Sequence, residues 1–182
     1  MAGPDLIRFG GAAPQVDPTA FVAPGARLIG DVQIGPEASI WYNCVLRGDV
    51  NRIRIGARTN IQDGSVLHVD SAKPGRPSGH PTLIGEEVLI GHLAMVHGCV
   101  LHDRSFVGLG AIVMDGCEIE SDAMLAAGAM LTPGKRIPSG QLWAGRPARY
   151  VRDLSAQDLA GMAMGVAGYV ALARAHREAL AG

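Results

Sequence analysis

Aliphatic residues recur every six positions along most of this chain, a spacing that few folds accommodate. The first run is Val16, Val22, Leu28, Ile34, Ile40 and Leu46. After three extra residues the series resumes at Ile55, Ile61 and Leu67, and after a longer interruption at Ile84, Ile90 and Val96. One residue is then dropped before Leu101, Val107, Val113, Ile119, Leu125, Leu131 and Ile137. Neither helical periodicity nor simple strand alternation produces this pattern.

A second column of small or β-branched residues follows the aliphatic one by four positions. Its members are Ala20, Ala26, Val32, Ala38, Cys44, Thr59, Ser65, Val88, Ala94, Ala111, Cys117, Ala123 and Ala129. The two columns predict a parallel β-helix, in which each six-residue unit is a short strand and a corner. The composition suits a narrow interior, because aromatic residues make up only 4% of the chain and glycines number 25. At three units per coil we expect about six to seven coils, stacked about 4.8 Å apart.

Charge and cysteine usage limit the possible partners and compartment. Sixteen basic residues against 17 acidic ones leave no strong field, so we expect neither nucleic acid nor a membrane as partner. Three cysteines, an odd number without a disulfide-framework spacing, favour a reducing compartment. The first residues, 1–11, contain no apolar stretch of signal-peptide length. A cytoplasmic protein is therefore predicted.

The carboxy-terminal segment has a different pattern. Ser155 and Asp158 have the spacing of a capping box, which opens a helix. An apolar stripe at helical spacing follows, formed by Leu159, Met162, Val166, Tyr169, Val170 and Ala173. We predict a β-helix domain over residues 1–150 and a C-terminal α-helix within 151–182. The helix is expected to pack against the β-helix or a neighbouring subunit.

The repeat register indicates which histidines can meet. If the interruption at residues 69–81 is a corner loop, Leu67 and Val96 lie on the same face, which is the third of each coil. His68 and His97 follow them directly and are expected to stack in adjacent coils. Arg47 takes the same place one coil earlier.

His92 follows the second face, so its own chain gives it poor access to a metal at His68 and His97. A neighbouring copy related by three-fold symmetry can supply it, which predicts a homotrimer with interfacial sites. Three imidazoles leave one position of a tetrahedral zinc open, and such zinc generates hydroxide near neutral pH. Attack of this metal-bound hydroxide on carbon dioxide, giving bicarbonate, is the simplest use of the site.

Three segments make the chain resemble the γ-class carbonic anhydrases, a hexapeptide-repeat family. They are residues 47–49 (Arg-Gly-Asp), 60–68 (Asn-Ile-Gln-Asp-Gly-Ser-Val-Leu-His) and 91–99 (Gly-His-Leu-Ala-Met-Val-His-Gly-Cys). The resemblance implies a left-handed β-helix and Zn(2+) as cofactor, with Fe(2+) or Co(2+) as substitutes. It also implies that His68 and His97 come from one subunit and His92 from another.

The resemblance also implies roles for residues around the metal. Gln62 would orient the metal-bound hydroxide, and an ionic cluster near the interface would contain Arg47, Asp49 and Asp63. Tyr169 matches a tyrosine of the family's terminal helix that approaches the metal, although its place on the apolar stripe favours packing. Unlike the best-characterised archaeal type, this chain has no glutamate in residues 69–81. Fast proton export is therefore not implied, and His80 is a candidate shuttle.

Two other functions fit the same sequence pattern. Hexapeptide-repeat proteins include acyltransferases and acyl-CoA thioesterases, for which Lys73 and Arg76 on the loop are candidate phosphate contacts. The other alternative is a non-catalytic assembly module that retains a structural metal. His102 and His176 are expected to be solvated without a role in any of these.

Overall fold

The computed structural model describes residues 3–182, and most of them form one parallel β-helix with three faces. On the first face lie β2 (Gln15–Val16), the second halves of β4 (Arg27–Ile34) and β6 (Val45–Ile55), β9 (Thr82–Ile84), β12 (Val100–Leu101), β15 (Glu118–Ile119) and β18 (Arg136–Ile137). On the second lie β3 (Phe21–Val22), β5 (Ser39–Ile40), β7 (Asn60–Ile61), β10 (Leu89–Ile90), β13 (Phe106–Val107), β16 (Met124–Leu125) and β19 (Gln141–Gly145), with β20 (Ala148–Asp153) antiparallel to β19. On the third lie β1 (Asp5–Ile7), the first halves of β4 and β6, β8 (Val66–His68), β11 (Met95–His97), β14 (Ile112–Val113) and β17 (Met130–Leu131).

Parallel pairing stacks the six-residue units in the predicted register. On the third face Leu46 pairs with Leu67, and Val96 pairs with both Leu67 and Val113. The second face is an eight-stranded sheet, of which every strand but β20 is parallel, so seven coils contribute to it. The predicted parallel β-helix is thus confirmed.

The interior is filled by the aliphatic column. The largest fully buried side chains are Leu28, Ile40, Leu46, Ile53, Ile61, Leu67, Ile90, Leu101, Ile119, Leu125, Leu131 and Ile137. Small side chains pack among them, including the cysteine thiols, which are unpaired and buried. Burial raises the pKa of the Cys44 thiol to about 12, which makes it an unreactive core residue.

Two irregularities in the repeat have clear structural forms. In β6 the three extra residues form a bulge, since Gly48 pairs with Gly30 but Ile53 is the next residue to pair, with Val32. Residues 69–81 form the expected corner loop between β8 and β9, closed by antiparallel pairing of Asp70 with His80. Both irregularities leave the inward-facing column intact.

The C-terminal helix, α1 (Ala156–Ala181), begins with the predicted capping box of Ser155 and Asp158. It lies against the second face of the β-helix, where Met162 and Val166 are buried beside Leu89. The domain division predicted at residue 150 falls within β20. No helix in residues 3–182 is long and apolar enough to cross a membrane.

Candidate functional site

His68 and His97 are register partners at the ends of β8 and β11. Their ring centroids lie 5.0 Å apart, and Nδ1 of His68 is 3.0 Å from Nε2 of His97. The predicted stacking follows from burial, because Leu67 and Val96 occupy the interior and the next residue in each coil turns outward at the corner.

Each of these imidazoles is bonded to a carboxylate through its other ring nitrogen. Nε2 of His68 is 2.9 Å from Oδ1 of Asp49, a residue of the bulge in β6. Nδ1 of His97 is 2.5 Å from Oδ1 of Asp115, in the turn after β14. Because an ionised carboxylate only accepts hydrogen bonds, both of these ring nitrogens carry protons.

These carboxylates determine whether the facing nitrogens of the two rings carry a proton or a lone pair. In a neutral imidazole one nitrogen is protonated and the other has a lone pair. When both rings are neutral, Nδ1 of His68 and Nε2 of His97 therefore carry lone pairs that face each other across 3.0 Å, an arrangement that a shared cation stabilises. Two nitrogen ligands of a tetrahedral zinc lie about 3.3 Å apart, so a small ring adjustment fits this pair to a metal.

Arg47 and Asp49 form the ion pair expected beside these histidines. Burial opposes ionisation of Asp49, but the hydrogen bonds from His68 and Arg47 outweigh it and lower the pKa of this carboxyl below its usual value. Asp49 is therefore a charged acceptor at neutral pH, joining an exposed guanidinium to a half-buried imidazole.

Thr82 holds together the two turns that carry the stacked histidines. Its fully buried hydroxyl donates to the carbonyl oxygen of His68 at 2.5 Å and accepts from the amide nitrogen of Gly98 at 3.0 Å. The turns after His68 and His97 are thus tied to the start of β9. Thr82 and Asp115 are not among the site residues predicted from the sequence.

A second group of predicted site residues lies at the corner after the second face. Nδ1 of His92 is 2.9 Å from Oδ2 of Asp63, and the His92 side chain is 40% exposed. Gln62 is buried and donates through Nε2 to Oδ1 of Asn60 at 3.1 Å. Asn60, which is also not among the predicted site residues, has a buried Nδ2 without a hydrogen-bond partner in residues 3–182.

Tyr169 approaches this second group from α1. Its ring makes an edge contact with Trp41 at a centroid distance of 5.5 Å. Burial, and then the nearby negative charge of Asp63, raise the pKa of the Tyr169 phenol. The contact that Tyr169 makes with Trp41 is a packing contact.

The two groups do not meet within one chain. The third face separates the corner of His92 from that of His68 and His97, and Asp63 lies beside His92 rather than joining Arg47 and Asp49. No cluster of three or more potential metal ligands is found in the described part of the chain. One chain therefore presents a two-histidine half-site and, at another corner, a one-histidine half-site.

The basic residues of the corner loop are already paired. Lys73 lies 2.9 Å and Arg76 3.1 Å from the carboxylate oxygens of Asp70. The Lys73 hydrogen bond is the largest influence on the Asp70 carboxyl, whose pKa lies below its usual value despite desolvation. These contacts stiffen the loop and compete with any phosphate for the two cations.

Known proteins similar to this chain include a plant gamma carbonic anhydrase and a bacterial protein. Gamma carbonic anhydrase 1, mitochondrial, of Arabidopsis thaliana is 49% identical over 164 residues, which cover 90% of this chain and 59% of the plant protein. Protein YrdA of Escherichia coli (strain K12) is 42% identical over 157 residues, covering 86% of this chain and 85% of YrdA. The chain thus spans about three fifths of the plant relative's length.

Among solved structures, a hexapeptide transferase family protein from Anaplasma phagocytophilum superposes with a TM-score of 0.87 at 47% identity. The match covers 94% of this chain and 97% of that one. The chain matches no protein-family model.

Proposed function

Since this chain belongs to the γ-carbonic anhydrase-like family of hexapeptide-repeat proteins, we propose that it catalyses the reversible hydration of carbon dioxide to bicarbonate. The reaction site lies at a subunit boundary and uses a metal held by His68, His92 and His97. The plant relatives' name supports the activity, and the half-sites of this chain support the arrangement.

The observation that carries the proposal is the facing pair of His68 Nδ1 and His97 Nε2. Carboxylates accept hydrogen bonds from the far nitrogens of both rings, so the neutral rings turn their lone-pair nitrogens towards each other. Carboxylate-backed imidazoles of this kind are typical of metal ligands, because the carboxylate fixes ring orientation and raises basicity. An incidental surface pair of histidines has no need of two such partners.

His92 of a neighbouring copy completes the ligand set in this proposal. Its Nδ1 lies 2.9 Å from Oδ2 of Asp63, so Nε2 is the ring nitrogen left for a metal, on a side chain that is 40% exposed. Cyclic three-fold symmetry brings the corner of one subunit to the next and closes after three copies. The protein is then a homotrimer with three equivalent sites.

Neutral nitrogen ligands suit zinc, and they also accept Fe(2+) or Co(2+). When bound, such a metal supplies a hydroxide nucleophile near neutral pH. His68, His97 and the neighbour's His92 would hold it, and a catalytic zinc with three protein ligands keeps one position open for reaction. No general base of unusual strength is then required from the protein.

Gln62 and Asn60 orient groups near this open position. The Gln62 amide donates to Asn60, which fixes its carbonyl oxygen as the end that can accept a hydrogen bond from the reacting water. Both side chains are almost fully buried, so their orientation is well defined before substrate enters. Arg47 and Asp49 act on the site through His68, because Asp49 bonds that ring directly.

Metal content and hydration kinetics together test the proposal. The protein is purified, stripped with a chelator and reloaded with Zn(2+), or with Fe(2+) under anaerobic conditions, and carbon dioxide hydration is followed by stopped flow with a pH indicator. We expect one metal per chain and activity that depends on it. His92→Ala and His97→Ala should each abolish both metal binding and activity.

Three results count against the proposal. A metal-free protein with full hydration activity would refute the mechanism. A metal-loaded protein without hydration activity, whose melting temperature rises with metal, would indicate a structural metal instead. Acyl-CoA turnover that persists in the presence of chelator would favour the transferase activity named for the Anaplasma relative.

A further inference from the structure

We infer that Asp115 is a positioning residue for His97, holding its imidazole as the Nδ1–H tautomer with Nε2 directed at the proposed metal site. The inference rests on the proposed function, since it concerns how one ligand of that site is oriented. Oδ1 of Asp115 lies 2.5 Å from Nδ1 of His97, and both side chains are 33% exposed.

Gly98 provides the space that this contact requires. A Cβ at position 98 would collide with Oδ1 of Asp115 on one side and lie 2.9 Å from Cβ of His80 on the other. Gly98 also has a φ of +53°, which glycine adopts without strain. The absence of a side chain therefore lets the carboxylate reach back one coil to the histidine.

The position of Asp115 in the repeat explains why its carboxylate lies beside His97. Ile112 and Val113 of β14 pair with Met95 and Val96 of β11, which places the turn after Val113 next to the turn after Val96. The amide nitrogen of Gly116 donates to the carbonyl oxygen of Gly98 at 2.7 Å, which locks the two turns together. Asp115 thus approaches His97 from the neighbouring coil on a rigid backbone.

Replacing the carboxylate by an amide reverses the proton preference of the ring. A carboxylate accepts from Nδ1–H, whereas an asparagine can donate to Nδ1 and so stabilise the Nε2–H tautomer. A proton on Nε2 blocks the nitrogen that the metal needs. Loss of such an outer partner typically weakens metal binding about 10–100-fold.

The experiment measures tautomer and affinity separately on the full-length protein. Ring nitrogens are observed by NMR in metal-free protein labelled with 15N-histidine, with His97 assigned from the spectrum of His97→Ala. Zn(2+) affinity is measured by competition with a chromophoric chelator. Asp122→Asn is the matched control, because the Asp122 side chain is also 33% exposed but pairs with Arg104.

In the wild-type protein and in Asp122→Asn we expect His97 as the Nδ1–H tautomer, with equal Zn(2+) affinity. In Asp115→Asn we expect a shift towards Nε2–H and about 10–100-fold weaker binding. A wild-type His97 that is Nε2–H overturns the inference without any variant. Unchanged affinity in Asp115→Asn also overturns it, provided that His97→Ala loses the metal. If His97→Ala binds Zn(2+) as tightly as wild type, the proposed function itself fails.

Discussion

His92 and His97 are five residues apart in the chain but lie at different corners of the β-helix. His92 follows the second face and lies beside Asp63, whereas His97 follows the third face, faces His68 and is hydrogen-bonded to Asp115. One strand of the third face separates them, so they present their rings to different neighbours. This relationship permits a test of the site's division between subunits.

Mixed trimers of two inactive variants are expected to recover sites. If one chain supplies His68 and His97 and the next supplies His92, then a His92→Ala chain followed by a His97→Ala chain forms one intact site. Random co-assembly of equal amounts restores about a quarter of the sites under cyclic three-fold symmetry. Metal content and stopped-flow hydration after co-expression or refolding measure the recovery.

The control mixes His68→Ala with His97→Ala. These two histidines belong to the same chain's half-site, so no arrangement of the two variants yields an intact one. Recovery in this control as well as in the first mixture would contradict the two-plus-one division. Equal failure of both mixtures, with mixed trimers demonstrated by mass spectrometry, would contradict it too.

Variants of Tyr169 test whether this residue contributes only packing or also takes part in the reaction. Tyr169→Phe keeps the ring contact with Trp41 and removes only the hydroxyl, so we expect kcat within about twofold of wild type and little change in stability. Tyr169→Ala removes the ring and should lower the free energy of unfolding by about 2 kcal/mol. Urea unfolding and hydration kinetics measure the two effects. A large fall in kcat for Tyr169→Phe alone would give the hydroxyl a part in the reaction.

The parts of the site that the sequence predicted are those that follow from burial. Leu67 and Val96 must both point into the coil, so their neighbours His68 and His97 must stack, and the six-residue count is sufficient to place them. His92 was placed at its own corner by the same count. A repeat register thus determines Cα positions around each coil.

The repeat register does not determine which side chains of neighbouring coils come within hydrogen-bonding distance. Asp115 bonds His97 only because the turn at Gly98 leaves room for its carboxylate, a detail of turn geometry. The expectation that His176 is solvated was wrong, since its Nδ1 lies 2.8 Å from the Tyr42 hydroxyl and its ring packs on Trp41. Its place three residues after the buried Ala173, on the inner stripe of α1, was the available signal.

Core truncation away from the site should separate stability from metal binding. Leu125 is fully buried on the second face, so Leu125→Ala is expected to cost about 2–5 kcal/mol through lost contacts and a cavity. Leu172→Ala is the matched control, because this leucine is 45% exposed on α1 and should change stability by about 0.5 kcal/mol or less. Urea unfolding at fixed protein concentration gives the difference. Zn(2+) affinity should be unchanged in both variants at temperatures where they remain folded.

The start of α1 should contribute stability with a defined pH dependence. Arg152 and then Ser155 hold the pKa of the Asp158 carboxyl well below its ordinary value of about 3.9. A depressed folded-state pKa means that the contribution is fully present above the unfolded value and is lost as pH falls through the folded one. The free energies of unfolding of wild type and Asp158→Asn should therefore differ by a constant amount between about pH 5 and 7 and converge as pH falls below about 4. Urea unfolding across this range measures the difference, with Ser155→Ala, expected to cost about 1 kcal/mol, reporting the cap itself. A gap that widens towards acid would contradict the assignment of Asp158 as an ionised cap.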